Sequence, residues 1–147
     1  MSFNEANTVR DGIRDYLKKN GWTYIHRTEL SRKETDVFVE PYLIEALKKL
    51  NPEIAKQPDR ADEVIYKLRA ILLSVQTEGL VRANEKFMAW LTGEHSMPFG
   101  KNGEHVPVRL IDFDNPGNNS RIVTTEYSYS TGQLTKRMDV VLLVNGI

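Results

Sequence analysis

The chain has no cysteine. Thiol catalysis, a disulfide scaffold and Cys-ligated zinc are therefore excluded together, and any chemistry falls to carboxylates and histidines. Asp139 is the most informative of these. It stands at the mouth of Val140-Val141-Leu142-Leu143-Val144, an apolar run expected of a strand covered on both faces. A carboxylate there must be paired, protonated or bound to a cation to offset its desolvation. Hard divalent cations prefer carboxylate oxygens, and metal-dependent phosphodiester cleavage uses such groups to hold Mg²⁺ and activate water. The plainer alternative, commoner for acidic residues at strand ends, is a solvated pair with Lys136 or Arg137.

Glu5 could supply a second carboxylate from an N-terminal helix, although with Ser2 it has the spacing of a capping box, a purely structural task. Asp112 and Asp114 flank Phe113 at the end of an alternating segment. Asp114 is explained by turn formation. Asp112 alternates onto the side of Val108 and Leu110, where it is either a functional inward carboxylate, a candidate metal ligand, or paired at the strand end. The histidines carry little. His95 and His105 each follow a glutamate, but nothing resembles His-Glu-x-x-His. Gly100-Lys101 fails as a phosphate loop, because Gly93 lies too far upstream and Asn102 replaces the required Ser or Thr. The run Arg27-Thr28-Glu29-Leu30-Ser31-Arg32-Lys33 could touch phosphate but reads more simply as a solvated connection, so no DNA-contacting residue is nominated.

The elements that must position these groups are helices first and strands after. Ala6, Val9, Ile13 and Leu17 recur at helical spacing and predict a first helix over 4–19 with that stripe buried, ended by Asn20-Gly21. Trp22, Tyr24 and Ile25 then form a short extended piece. A second helix carries Leu43, Leu47 and Leu50, and a third opens at Asp59 and buries Ala61, Ile65, Leu68 and Leu72. The fourth, over 79–92, buries Leu80, Phe87 and Leu91. After a Gly/Pro loop the period changes. Segments 106–111, 121–129 and 140–144 read as three strands of a largely antiparallel meander, separated by the Asp114–Asn119 and Ser130–Gln133 turns. The expected class is α+β.

The 147 residues are the size of one domain, so 1–147 is expected to be a single one. Twenty basic and twenty acidic side chains cancel, which excludes a strongly basic polyanion binder and predicts weak binding to duplex DNA. No N-terminal segment reads as a signal peptide and no apolar run approaches the ~20 residues of a membrane span, so a cytoplasmic protein with no membrane association is expected. An apolar central strand at the very end of the chain also points to a sequence cut ahead of further protein.

Several segments together resemble the N-terminal region of the R (restriction) subunit of type I restriction-modification enzymes. These are Asn4-Glu5-Ala6-Asn7-Thr8-Val9-Arg10 with Gly21-Trp22, and Ala46-Leu47-x-x-Leu50-Asn51. Gly79-Leu80-x-x-Ala83-Asn84-x-x-Phe87-x-x-x-Leu91-x-Gly93 and Leu110-Ile111-Asp112-Phe113-Asp114-Asn115-Pro116-x-Asn118-Asn119 follow in order. The closing Asp139-Val140-Val141-Leu142-Leu143-Val144-Asn145-Gly146-Ile147 is the most specific. The resemblance implies the front of a restriction-endonuclease-like core of the PD-(D/E)xK kind. Asp139 would be its catalytic Asp and a metal ligand, Glu5 an accessory carboxylate, and Mg²⁺ the cofactor. Met138 stands where that family often has Pro, and no Glu-x-Lys follows. ATP would serve the motor of the parent subunit and not this chain. Implied partners are double-stranded DNA and the methylation and specificity subunits. In that reading Asp139 faces a cleft with Asp112 or Glu5 close by. The alternative is a non-catalytic DNA- or protein-binding module that docks through its helices.

Overall fold

The computed structural model describes the backbone of residues 5–147 and the side chains of 7–147. The class is α+β, and the chain divides into two compact units, Met1–Leu43 with Ser120–Ile147, and Ile44–Asn119.

In the first unit, helix α1 (Glu5–Lys19) ends as expected: Gly21 takes φ +89°, and the Asn20 and Trp22 amides both donate to the Leu17 carbonyl. Its inward face is rotated from the expected stripe, which it shares only at Leu17 among the described residues. Val9 and Ile13 are exposed, Val9 at 59%, while Arg10, Arg14 and Leu17 are half-buried. The arginines win the inward side because each finds a partner there. Arg10 pairs with Glu126, and the Arg14 guanidinium lies 5.2 Å from the centre of the Tyr24 ring. The capping box of Ser2 and Glu5 lies outside the described side chains.

Strands β1 (Thr23–Tyr24), β4 (Arg121–Ser130) and β5 (Thr135–Val144) form one sheet in the order β1-β4-β5. β1 runs parallel to β4, and β4 and β5 make an antiparallel hairpin registered from Arg121↔Val144 to Ser130↔Thr135. Leu30, Val39, Ile122, Tyr127 and Leu143 form a buried cluster in this unit, joined by Ile25, Tyr42 and Val141.

The four predicted helices appear as the four long ones, α1, α2 (Glu40–Leu50), α4 (Arg60–Leu73) and α6 (Leu80–Leu91), with short α3 (Pro52–Lys56) and α5 (Val75–Glu78) added. Ala61, Val64, Ile65 and Leu68 of α4 are buried as the spacing requires, and Trp90 and Ala83 are the buried residues of α6. Leu80, expected inside, is 69% exposed.

The meander needs a larger correction. Only Val106–Pro107 of segment 106–111 is a strand (β3), and it pairs with β2 (Ser96–Met97) in a separate two-stranded sheet. Val108 and Leu110 are nevertheless fully buried. The third strand of the main sheet is instead the short piece at Thr23–Tyr24.

Candidate functional site

The hairpin carrying Asp139 is fixed at its far end by a corner. Asn145 is buried with φ +54°, its Oδ1 accepts from the Ser120 amide at 2.8 Å, and its own amide donates to the Ser120 carbonyl at 2.9 Å. Gly146 follows at φ +80°, and its carbonyl accepts from the Val39 amide just ahead of α2. A Cβ at this position would lie 2.5 Å from the Val39 carbonyl oxygen, so only glycine fits. This corner sets the register of β5 and with it the position of Asp139.

Asp139 is exposed, so it does not face the enclosing cleft that the nuclease reading expects. Its carboxylate has neither a hydrogen bond nor an ion pair among the described residues, and the expected pair with Lys136 or Arg137 is not formed. The pairs Thr125↔Val140 and Tyr127↔Met138 flank it, which sets Glu126 opposite it in the register. Glu126 has φ +55°, an uncommon and strained conformation for a side chain of its size. The pairing resumes in the same register beyond it, so Glu126 is not an inserted bulge residue.

Two arginines from separate elements converge on Glu126. Arg10 Nη1 of α1 donates to its Oε1 at 2.8 Å, and Arg27 Nη1, from the 3-10 turn Arg27–Glu29, donates to its Oε2 at 2.8 Å. Arg10 also donates through Nε to Asp11. Partial burial lowers the Arg10 pKa, but hydrogen bonds and charge from Asp11, then Glu126, outweigh it and hold the value above the ordinary one. Arg32 is likewise no solvated residue. It donates to the Ser128, Glu34 and Asp36 carbonyls and lies over the Tyr127 ring at 3.9 Å. Within the basic run 27–33, Arg27 and Arg32 thus clasp the hairpin, while Thr28, Glu29, Ser31 and Lys33 are exposed.

Asp112 belongs to the second unit and does a different job. It is buried, as its alternation with Val108 and Leu110 requires. Oδ1 accepts from the Asp114 and Asn115 amides, and Oδ2 accepts from Asn118 Nδ2. The Asn118 bond first, then the Asn115 amide, hold its pKa below the ordinary value against the opposing effect of desolvation. Both oxygens are committed to the 112–119 turn. The Glu5 backbone lies in α1, and its side chain is outside the described residues. Among the described residues, no three carboxylate or histidine groups gather where they could hold a cation.

Residues 2–147 match the family described as the type I restriction enzyme R protein N terminus. The chain belongs to that family. It is also similar to the type I restriction enzyme HindI endonuclease subunit of Haemophilus influenzae, 29% identical over 143 residues. That match covers 89% of this chain and 13% of the relative. The chain therefore spans about an eighth of the length of the curated relative it matches. No solved structure matches the chain. No described helix is long and apolar enough to cross a membrane.

The R-subunit motifs map onto structure unevenly. The Asp112–Asn119 signature is a hydrogen-bonded turn into which Lys49 and Arg109 also donate, and the Asn145-Gly146 end of the last signature is a packing corner. Of the acids in those two signatures that the residue chemistry nominated, Asp139 is the one with no structural task. Glu126 and the role of Arg10 were missed from sequence, and Arg27 was noted only within the basic run 27–33. The available signal was a lone charge inside the β-branched and aromatic run Ile122–Tyr129.

Proposed function

We propose that this R-subunit segment serves Mg²⁺-dependent phosphodiester cleavage of double-stranded DNA, with Asp139 as one metal-binding carboxylate. One observation carries the reading. Asp139 is an exposed carboxylate with no internal partner among the described residues, on a strand whose register is set by a glycine-only corner. The fold leaves the Asp139 oxygens unused, so they are open to a hard cation.

One carboxylate fits one coordination position and does not make a site. The remaining donors belong to the Glu-x-Lys half that such nucleases carry, and no reaction step follows from the described residues alone. Glu5 remains the candidate accessory carboxylate, and Asp112 is the weaker metal-ligand proposal because its own turn occupies it. We assign ATP to the motor of the parent subunit, and DNA, the methylation subunit and the specificity subunit to its complex. A cytoplasmic location follows from that role.

The test uses Mn²⁺ as a paramagnetic stand-in for Mg²⁺. Substoichiometric Mn²⁺ should broaden the amide resonances around Asp139 in the wild type and leave them sharp in Asp139→Asn. Broadening that survives the substitution would refute the assignment. The purified chain should not nick plasmid DNA in Mg²⁺. Nicking abolished by Asp139→Ala would show that these residues already complete a site.

A further inference from the structure

The Glu126 clasp leaves something over. Arg27 uses Nη1 for Glu126, and the same nitrogen lies 3.4 Å from His26 Nε2. Among the described residues its Nε and Nη2 have no partner, and its side chain is 42% exposed. The Nε–Nη2 edge of a guanidinium is one of the two faces that match a phosphate in bidentate fashion. Arg10, at 18% exposure, spends its Nε on Asp11 and its Nη1 on Glu126, so it is the anchor of the cluster and not its open end.

A structural role explains Arg10 well and Arg27 poorly. One buried-side ion pair is enough to occupy Glu126, and an exposed second pair adds little stability. Yet the backbone accepts a left-handed glutamate at this point, and two separate elements aim at it. The carboxylate orients the Arg27 fork while partly offsetting its charge, on the strand position directly opposite Asp139.

We infer that Arg27, oriented by Glu126, grips a backbone phosphate of the DNA strand presented to Asp139. The inference rests on the nuclease reading above and adds the residue that contacts the phosphate. Arg27 is then a binding residue, and Glu126 a positioning residue that also tempers its charge.

The experiment is fluorescence anisotropy of a short labelled duplex with the whole chain, across about 50 to 200 mM salt. Arg27→Ala should weaken binding several-fold on every duplex sequence and flatten the log–log salt slope by about one. Arg27→Lys should keep the slope and lose affinity, because it retains charge without the fork. It carries the test should Arg27→Ala not fold. Glu126→Gln should bind more tightly than wild type, since it keeps an oxygen acceptor and removes the competing charge; a merely structural Glu126 would lower Tm without this gain. Lys56→Ala, in the other unit, should match wild type. If the wild type binds and Arg27→Ala equals it in affinity and slope, the inference fails and the nuclease reading stands. If the wild type does not bind even at the lowest salt, both fail.

Discussion

Asp112 and Asp139 each sit in a signature of the same family, and the two regions use their acids in opposite ways. In the turn at 112–119 the acid does the holding. It is buried, it takes two backbone amides and one side-chain amide, and the turn closes around it. In the β4–β5 hairpin the neighbours do the holding. Asn145 and Gly146 fix one end of the strand, Arg10 and Arg27 clasp the opposite strand at Glu126, and Asp139 takes part in none of it. A carboxylate with every oxygen committed is architecture. One that is held in place and left unpaired is available for a ligand.

That contrast is broken most severely by Gly146→Ala. The added Cβ meets the Val39 carbonyl at a backbone φ that disfavours any side chain, and the loss should be about 3 kcal/mol in urea denaturation. A loss below about 0.5 kcal/mol, the size of an ordinary surface change, would mean the corner does not set the strand.

Asp112→Asn comes next, with a fall in Tm of several degrees and a distinctive pH dependence. Because the folded pKa of Asp112 lies below its unfolded value, its contribution is fully present above about pH 4 and is lost as pH falls through the folded value. Wild type should therefore lose stability on acidification below about pH 4, and Asp112→Asn should lose less over the same range. Parallel acid profiles would remove Asp112 from its structural role.

A smaller effect is expected from the outward stripe of α1. Ile13→Ala should change stability by less than about 1 kcal/mol, because the residue is 44% exposed. A core-sized loss of about 3 kcal/mol would restore the burial that its spacing predicts.

How far the sequence was legible follows from what each signal measures. The α4 stripe of Ala61, Ile65 and Leu68 reads correctly because those residues have no polar competitor for the inward side. The α1 stripe reads rotated because Arg10 and Arg14 find partners at Glu126 and Tyr24, and Glu126 is 116 positions from Arg10. Local periodicity cannot register so distant a partner. Alternation at Val106, Val108 and Leu110 reported burial correctly and strand pairing incorrectly, since inward side chains do not require a hydrogen-bonded neighbour. The apolar run beyond Asp139 marked a strand but not its extent: β5 begins at Thr135, so Asp139 stands inside the strand and not at its mouth, and Leu142, expected to be covered, is 46% exposed. The freedom of Asp139 from Lys136 and Arg137 was not legible, because both lie within reach of it in sequence.

The most direct measurement of the contrast is the unfolding free energy of wild type and Asp139→Asn, each with and without millimolar Mg²⁺. Without metal the two should agree within about 0.5 kcal/mol, as expected for an exposed residue with no partner. Added millimolar Mg²⁺ should leave both unchanged, because one carboxylate among the described residues does not make a site that would bind the folded state tightly. A substitution that destabilises the metal-free protein, or stabilisation of either by Mg²⁺, would contradict the account.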